Sequence, residues 1–374
     1  MRTILLPLIF LILLISCTSK TVPPTINPQA FNKMVDGKQV QLFVLKNLKG
    51  VEVTVTNYGA RIVSWMVPDR KGLMEDVVLG FDSIDGYLTG SETYFGAAIG
   101  RYGNRIANGE FQLGDIKYKL AQNNGVNNLH GGINGFCRKV WDATQKDNSE
   151  LNFKLVSPDM DEGFPGELIV KMSYKLTNDN ELIIQYEAKC DKPTVINLTN
   201  HSFFNLHGAG NGTILDHQLT LNADFFTPID STLIPTGDFT PVENTPFDFR
   251  KSMPIGNRIN ADHQQIHYGL GYDINFVLKK SPDATNSLAA SVYEPLSGRL
   301  LEVFTDQPGI QFYTGNFLDG KRVGKKGIKY DYRTAFCLET QHFPNSPNQP
   351  KFPTVELDPD QVYNHTCIYK FSVR

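Results

Sequence analysis

Apolar residues in this chain recur at every second position, and that spacing limits its possible folds more than any other feature. Leu42 and Val44 alternate with polar neighbours, and Val51, Val53 and Val55 do the same beyond a Lys49-Gly50 turn. Leu168, Val170, Met172, Tyr174 and Leu176 alternate up to the Thr177-Asn178-Asp179-Asn180 turn, after which Leu182, Ile184, Tyr186 and Ala188 alternate back. Successive side chains of a strand point to opposite faces, so this is the signature of strands with one buried face. Phe111 and Leu113 lead into Gly114-Asp115, a two-residue hairpin signal, and Ile116, Tyr118 and Leu120 follow. No long window carries an apolar stripe at helical spacing. The pattern predicts an all-β fold, a large antiparallel β-sandwich.

The chain has 374 residues with a formal net charge of −3, both signs being interspersed. Nucleic-acid binding needs a clustered basic face, which is missing, so no nucleic-acid partner is expected. The N-terminus carries a different signal. After Met1-Arg2, an apolar run from Ile4 to Ile15 is too short to span a bilayer but suits a secretory leader. It ends in Leu14-Ile15-Ser16-Cys17, which resembles a bacterial lipobox with Cys17 as the lipidated residue. The expected organisation is a lipoprotein signal peptide over 1–17, a flexible tether over 18–36 and a single catalytic domain over 37–374. The expected location is exported and membrane-anchored, facing the periplasm or the cell surface. Cys137, Cys190, Cys337 and Cys367 are too widely spaced for a metal knuckle. A domain of this size does not need staples, so buried free thiols are favoured over any of the three possible pairings.

Four irregular stretches rich in Gly, Asn and Pro interrupt the strands: 96–108, 122–135, 200–211 and 342–353. Long loops on a rigid scaffold are where sites usually reside. His130 sits in Asn128-Leu129-His130-Gly131-Gly132, whose glycines permit close backbone approach. His201 follows the apolar strand expected over 194–198 and is flanked by Asn200 and Asn205, amides able to fix its tautomer. Each histidine taken alone is more often structural than catalytic. His207, His217, His263, His267 and His365 lack such settings and are expected at the surface or in supporting positions. Glu339 follows the apolar strand ending Phe336-Cys337-Leu338, where burial would raise its basicity. Arg105 and Asp273 add groups suited to a polyol. There is no His-Glu-x-x-His or clustered His/Cys set, no Gly-x-Ser-x-Gly elbow and no phosphate-binding glycine loop. What remains is acid–base chemistry by one carboxylate and two histidines, with no metal and no cofactor expected.

Seven segments in order resemble the aldose 1-epimerase (galactose mutarotase) family. They are Asn57-Tyr58-Gly59-Ala60, Gly100 to Ile106, Asn128 to Gly132, Asn200 to Leu206, Gly271-Tyr272-Asp273, Pro308 to Tyr313, and Glu339 through Asn348. The resemblance runs from about Gln39 to the C-terminus. It implies a galactose-mutarotase-like supersandwich with an open cleft on one sheet, acting on a small sugar. Glu339 aligns with the general base and His201 with the general acid, in the form of a carboxylate and a protonated imidazole. His130, Arg105, Asp273, Gln311 and Asn104 align with sugar-binding positions. Ile274 departs from the pattern, since many relatives carry a histidine there, and this bears on sugar preference. The leader also departs from the family's cytosolic members.

Three other readings are weaker. A glycan-binding lipoprotein has no use for a base opposite an acid. A glycoside hydrolase usually needs two carboxylates flanking the bond. A hexose-phosphate epimerase would want more basic residues at the cleft than Arg101 and Arg105.

Overall fold

The computed structural model describes residues 26–89, 94–281 and 285–374. Cys17 and the leader lie outside the described residues, as does the first part of the expected tether.

Three larger sheets dominate, all with antiparallel pairing. The first orders Leu42–Lys46, Glu52–Thr56, Arg61–Pro68 and Met74–Asp76. The second has nine strands, in the order Asp142–Gln145, Glu150–Ser157, Leu168–Leu176, Glu181–Cys190, Tyr363–Val373, Arg299–Thr305, Ser287–Tyr293, Gln218–Leu221 and Met253–Pro254. The third orders Thr240–Pro241, Ala223–Phe226, Asp273–Leu278, Gly309–Tyr313 and Cys337–Gln341. The C-terminal strand Tyr363–Val373 thus lies at the centre of the largest sheet, between two strands far from it in sequence.

The alternating residues share one hydrophobic cluster. Val53, Val55 and Trp65 of the first sheet meet Val170, Ile184 and Tyr369 of the second and Phe276, Phe312 and Leu338 of the third. Trp65 is fully buried, and its ring stands edge-on to Phe371 at 5.1 Å and to Tyr369 at 6.1 Å. Truncating such a side chain to alanine costs about 3–5 kcal/mol. The two α-helices among the described residues, Ile84–Thr89 and Gln264–Gly269, are each six residues long. An all-β sandwich is therefore what the period-two pattern builds.

Two local expectations need correction. The tether expected over 18–36 is already packed from Ile26. Phe31 is fully buried, and Lys33–Val35 pairs with Lys38–Val40. Burial of Ile26 and Phe31 against Val40, Val63 and Tyr87 offsets the entropy of ordering this segment. The strand expected over 194–198 is cut short at Val195, and a separate strand begins at Thr199. Thr194–Val195 pairs with Glu356–Leu357, and Thr199–His201 pairs with Ala97–Ile99. Between them the Asn197 amide donates to Gly103 O and His342 O, which takes this stretch out of a simple ladder. All four cysteines of the domain are buried, and Cys337 Sγ lies 3.5 Å from His201 Nδ1.

Candidate active site

The third sheet is apolar on one face and polar on the other. Ile274 and Phe276, Ile310 and Phe312, and Leu338 enter the core. Their immediate neighbours along each strand, Asp273, Asn275, Gln311, Tyr313, Cys337 and Glu339, face away from it, as strand alternation requires. Register places Asn275, Gln311 and Glu339 in one row and Asp273, Tyr313 and Cys337 in the next. Loops cover this polar face, and Asp273, Gln311 and Glu339 are all buried.

Arg105 and His130 arrive together. Arg105–Ile106 pairs with Asn128–Leu129, and the turn beyond it is locked at both ends. The His130 N–H donates to Asn104 O at 3.0 Å, and the Asn104 N–H donates to His130 Nδ1 at 3.1 Å. A backbone N–H can only donate, so Nδ1 is an acceptor and the proton of neutral His130 sits on Nε2. Gly131, at φ +82°, is needed here, because a Cβ would run into the Gly100 carbonyl. His201 ends the strand Thr199–His201, with the Phe203 ring stacked on it at 4.9 Å and Tyr94 on it at 5.7 Å. Tyr94 also touches His130 at 4.6 Å.

These parts surround a cavity of about 700 Å³ lined by Asn104, Arg105, His130, His201, Asp273 and Glu339. His201 Nε2 stands 3.6 Å from Glu339 Oε1, while Glu339 Oε2 is buried without a hydrogen-bond partner. Arg105 Nη1 lies 3.9 Å from Asp273 Oδ2, and its Nε donates to Asn124 Oδ1 at 3.0 Å. Gln311 Nε2 donates to Asp273 Oδ1 at 2.6 Å.

Burial governs the charges. It raises Glu339 well above the ordinary carboxylate range, with the nearby Asp273 charge adding to it and Arg105 opposing. Burial pushes His201 down to about 3 and His130 well below its usual value. Asp273 is raised by burial, against the pull of Arg105 and of its Gln311 hydrogen bond. Burial thus works against the expected carboxylate and protonated imidazole, raising the proton affinity of Glu339 and lowering that of His201.

His130, His201 and Glu339 have atoms close enough together to suggest a metal site. The donor chemistry argues otherwise, because His130 accepts at Nδ1 and holds its proton at Nε2. A metal there would demand an imidazolate. The cluster of His207, Asp216 and His217 meets the same objection, since His217 Nε2 accepts the Leu206 N–H at 3.0 Å.

Six of the seven sequence-derived site residues reach the cavity wall. Gln311 instead stands behind Asp273. Ile274 lies in the core and away from the cavity, so its departure from the family pattern does not touch a sugar. Arg101 is buried on Pro165 O, Gly166 O and Ser157, outside the cleft. His217 and His365 are fully buried and not at the surface; His365 supports the strand behind Glu339 through Thr340 Oγ1 at 2.9 Å. The loop 342–353 supports Arg105 by an Asn345 N–H bond to its carbonyl. Sequence reasoning missed Tyr94, Phe203 and Tyr313. Phe203 was within reach, being two residues beyond His201 on the same face, whereas Tyr94 carried no local signal.

A buried carboxyl opposite an imidazole, beside an Arg–Asp pair in a cavity on a β-sandwich, is an acid–base arrangement suited to an enzyme that isomerises sugars. The aldose 1-epimerase family profile matches residues 41–370, and the chain belongs to that family. It is 48% identical to a galactose mutarotase of Sus scrofa over 86% of this chain and 92% of that one. It is 41% identical to an aldose 1-epimerase of Haemophilus influenzae over 85% of this chain and 91% of the relative. A solved aldose epimerase homologue from C. elegans superposes with a TM-score of 0.83 at 32% identity, covering 89% of this chain and 99% of the other. The chain is accordingly a carbohydrate isomerase that interconverts sugar anomers. The same comparison overturns the exported, membrane-anchored location expected from the leader. The relatives that match most of the chain are galactose mutarotases such as those of Sus scrofa and Rattus norvegicus, and against them the leader's resemblance to a lipobox does not establish a location.

Proposed function

We propose that Glu339 and His201 open and close the sugar ring by moving two protons across the anomeric centre, while Arg105, Asp273, His130 and Asn104 hold the sugar. The observation that carries this reading is the 3.6 Å approach of His201 Nε2 to Glu339 Oε1, with the second Glu339 oxygen unpartnered. Ring opening removes the proton of the anomeric hydroxyl and gives one to the ring oxygen. Glu339 as carboxylate accepts the first, and His201 as imidazolium donates the second; each such group is worth about 10²–10⁴ in rate. After opening, Glu339 holds a proton and His201 is neutral, which is the form that burial favours. Closure on either face of the aldehyde reverses both transfers. In the closed-ring complex, a sugar hydroxyl donating to Glu339 Oε2 supports the ionised form of the pair.

His130 Nε2–H is a donor suited to charge developing on a sugar oxygen. Residues 37–374 are read as a single catalytic domain, because one hydrophobic cluster draws on all three larger sheets. Anomeric proton NMR on fresh α-anomers of galactose, glucose, xylose and arabinose tests the reading. It requires protein-dependent equilibration of at least one aldose. Binding without acceleration would favour a glycan-binding protein instead.

A further inference from the structure

We propose that Gln341 is a positioning residue for anomer interconversion, acting through Gln311 to hold Asp273 oriented and ionised beneath the sugar. The proposal rests on the reading of Asp273 as a sugar-holding group.

A chain of hydrogen bonds that runs outward from Gln341 in two directions carries it. Asn275 Nδ2 donates to Thr227 Oγ1 at 3.4 Å. Gln341 Nε2 donates to Asn275 Oδ1 at 3.3 Å and to Gln311 Oε1 at 3.4 Å. Gln311 Nε2 then donates to Asp273 Oδ1 at 2.6 Å. An amide presents nitrogen on one side and oxygen on the other, so fixing one member of the chain fixes the next. A carboxylate accepts only, which obliges Gln311 to turn its nitrogen toward Asp273. Its oxygen must then meet a donor, and Gln341 supplies it. The link to the carboxylate is the short one, as charge-assisted bonds are.

Gln341 is fully buried and does not line the cavity, so it acts on the sugar only through its neighbours. Its own Oε1 has no hydrogen-bond partner, leaving the two bonds it donates as the use of the side chain. The fold also clears space for the network. Gly309 pairs with Gln341 across the strands, and a Cβ there would meet Asn275 Oδ1 at 2.7 Å.

The charged groups acting on Asp273 are Arg105 and Glu339, the Gln311 amide donates to it, and the titratable Tyr313 and Cys337 share its row on the polar face. Because the Asp273 charge adds to the proton affinity of Glu339, the chain from Gln341 reaches the proposed base as well.

The test compares Gln341→Glu and Gln341→Met with wild type and Asp273→Asn, measuring KM and kcat for galactose. The range runs from about pH 8 to about pH 5, which spans protonation of a raised carboxylate. An added carboxylate at 341 would draw the Gln311 nitrogen away and turn its oxygen on Asp273. The expected result is a KM that climbs roughly tenfold toward the acid end in Gln341→Glu, one pH unit of Asp273 titration. Gln341→Met should show a smaller drift in the same direction, and kcat should change less in both. Wild-type KM across the range in the folded variants would overturn the proposal, and so would a loss of equal size at every pH. If Gln341→Glu does not fold, the uncharged Gln341→Met carries the same two outcomes. An Asp273→Asn enzyme with unaltered KM and kcat would instead show that the reading of Asp273 has failed.

Discussion

His201 Nε2 and Glu339 Oε1 face each other at 3.6 Å across the cavity floor, both side chains almost completely shielded from solvent. They come from different sheets, and in the proposed mechanism they share a single proton. Burial raises the proton affinity of Glu339 and lowers that of His201, so the proposed mechanism has bound sugar draw the pair toward carboxylate and imidazolium before the ring opens. The closed-ring and open-chain stages therefore correspond to the two ways of placing one proton.

Activity in acid should fail through Asp273 first. Its ionised form is the one that pairs with Arg105, and burial raises its pKa above the ordinary 3.8. Binding is therefore lost as pH falls through that raised value. His201 takes a second proton only near 3, below its ordinary 6.5. The kcat/KM profile should show an acid limb that Asp273→Asn removes. A limb centred at the ordinary imidazole value and indifferent to Asp273 would mean that His201 titrates on its own.

Arg105→Ala and Asp273→Ala should raise KM for galactose by roughly tenfold or more, the scale of a hydrogen bond to a charged group. They should lower kcat less. Because the two side chains meet at 3.9 Å, the double variant should lose less than the product of the single losses. Steady-state kinetics decide this, and an unchanged KM with a collapsed kcat would place either residue on the transition state.

His130→Ala should lower kcat by about 10²-fold if its Nε2–H stabilises developing charge. Incubation with EDTA should leave wild-type activity intact, since the Asn104 N–H commits His130 to the tautomer that cannot bind a metal. Loss of activity to the chelator, restored by zinc, would contradict this assignment.

Much of the fold was legible because strand periodicity is local. Leu168 to Leu176 and Leu182 to Ala188 alternate in the chain just as they do in the sheet. The site residues were legible for another reason: Glu339, His201 and His130 sit in chemically unusual segments. Their convergence was not, since it depends on the pairing of Gly309–Tyr313 with Cys337–Gln341 and of Thr199–His201 with Ala97–Ile99. Tyr94 and Gln341 escaped notice because their partners are distant in sequence. The tether was drawn too long because its composition is that of a linker, while Phe31 finds a pocket supplied by the rest of the chain. The lipobox resemblance is a short pattern, outweighed by relatives that match most of the chain.

The most direct test is the mutarotation rate of Glu339→Gln, alone and combined with His201→Asn, by polarimetry on fresh α-galactose. Glutamine keeps the size and hydrogen-bonding capacity but cannot accept the anomeric proton. Each single variant should lose roughly 10²-fold or more in kcat with little change in melting temperature. The double variant should lose scarcely more than either one, because the two groups act in one step. Near-wild-type mutarotation by a folded Glu339→Gln protein would contradict the account.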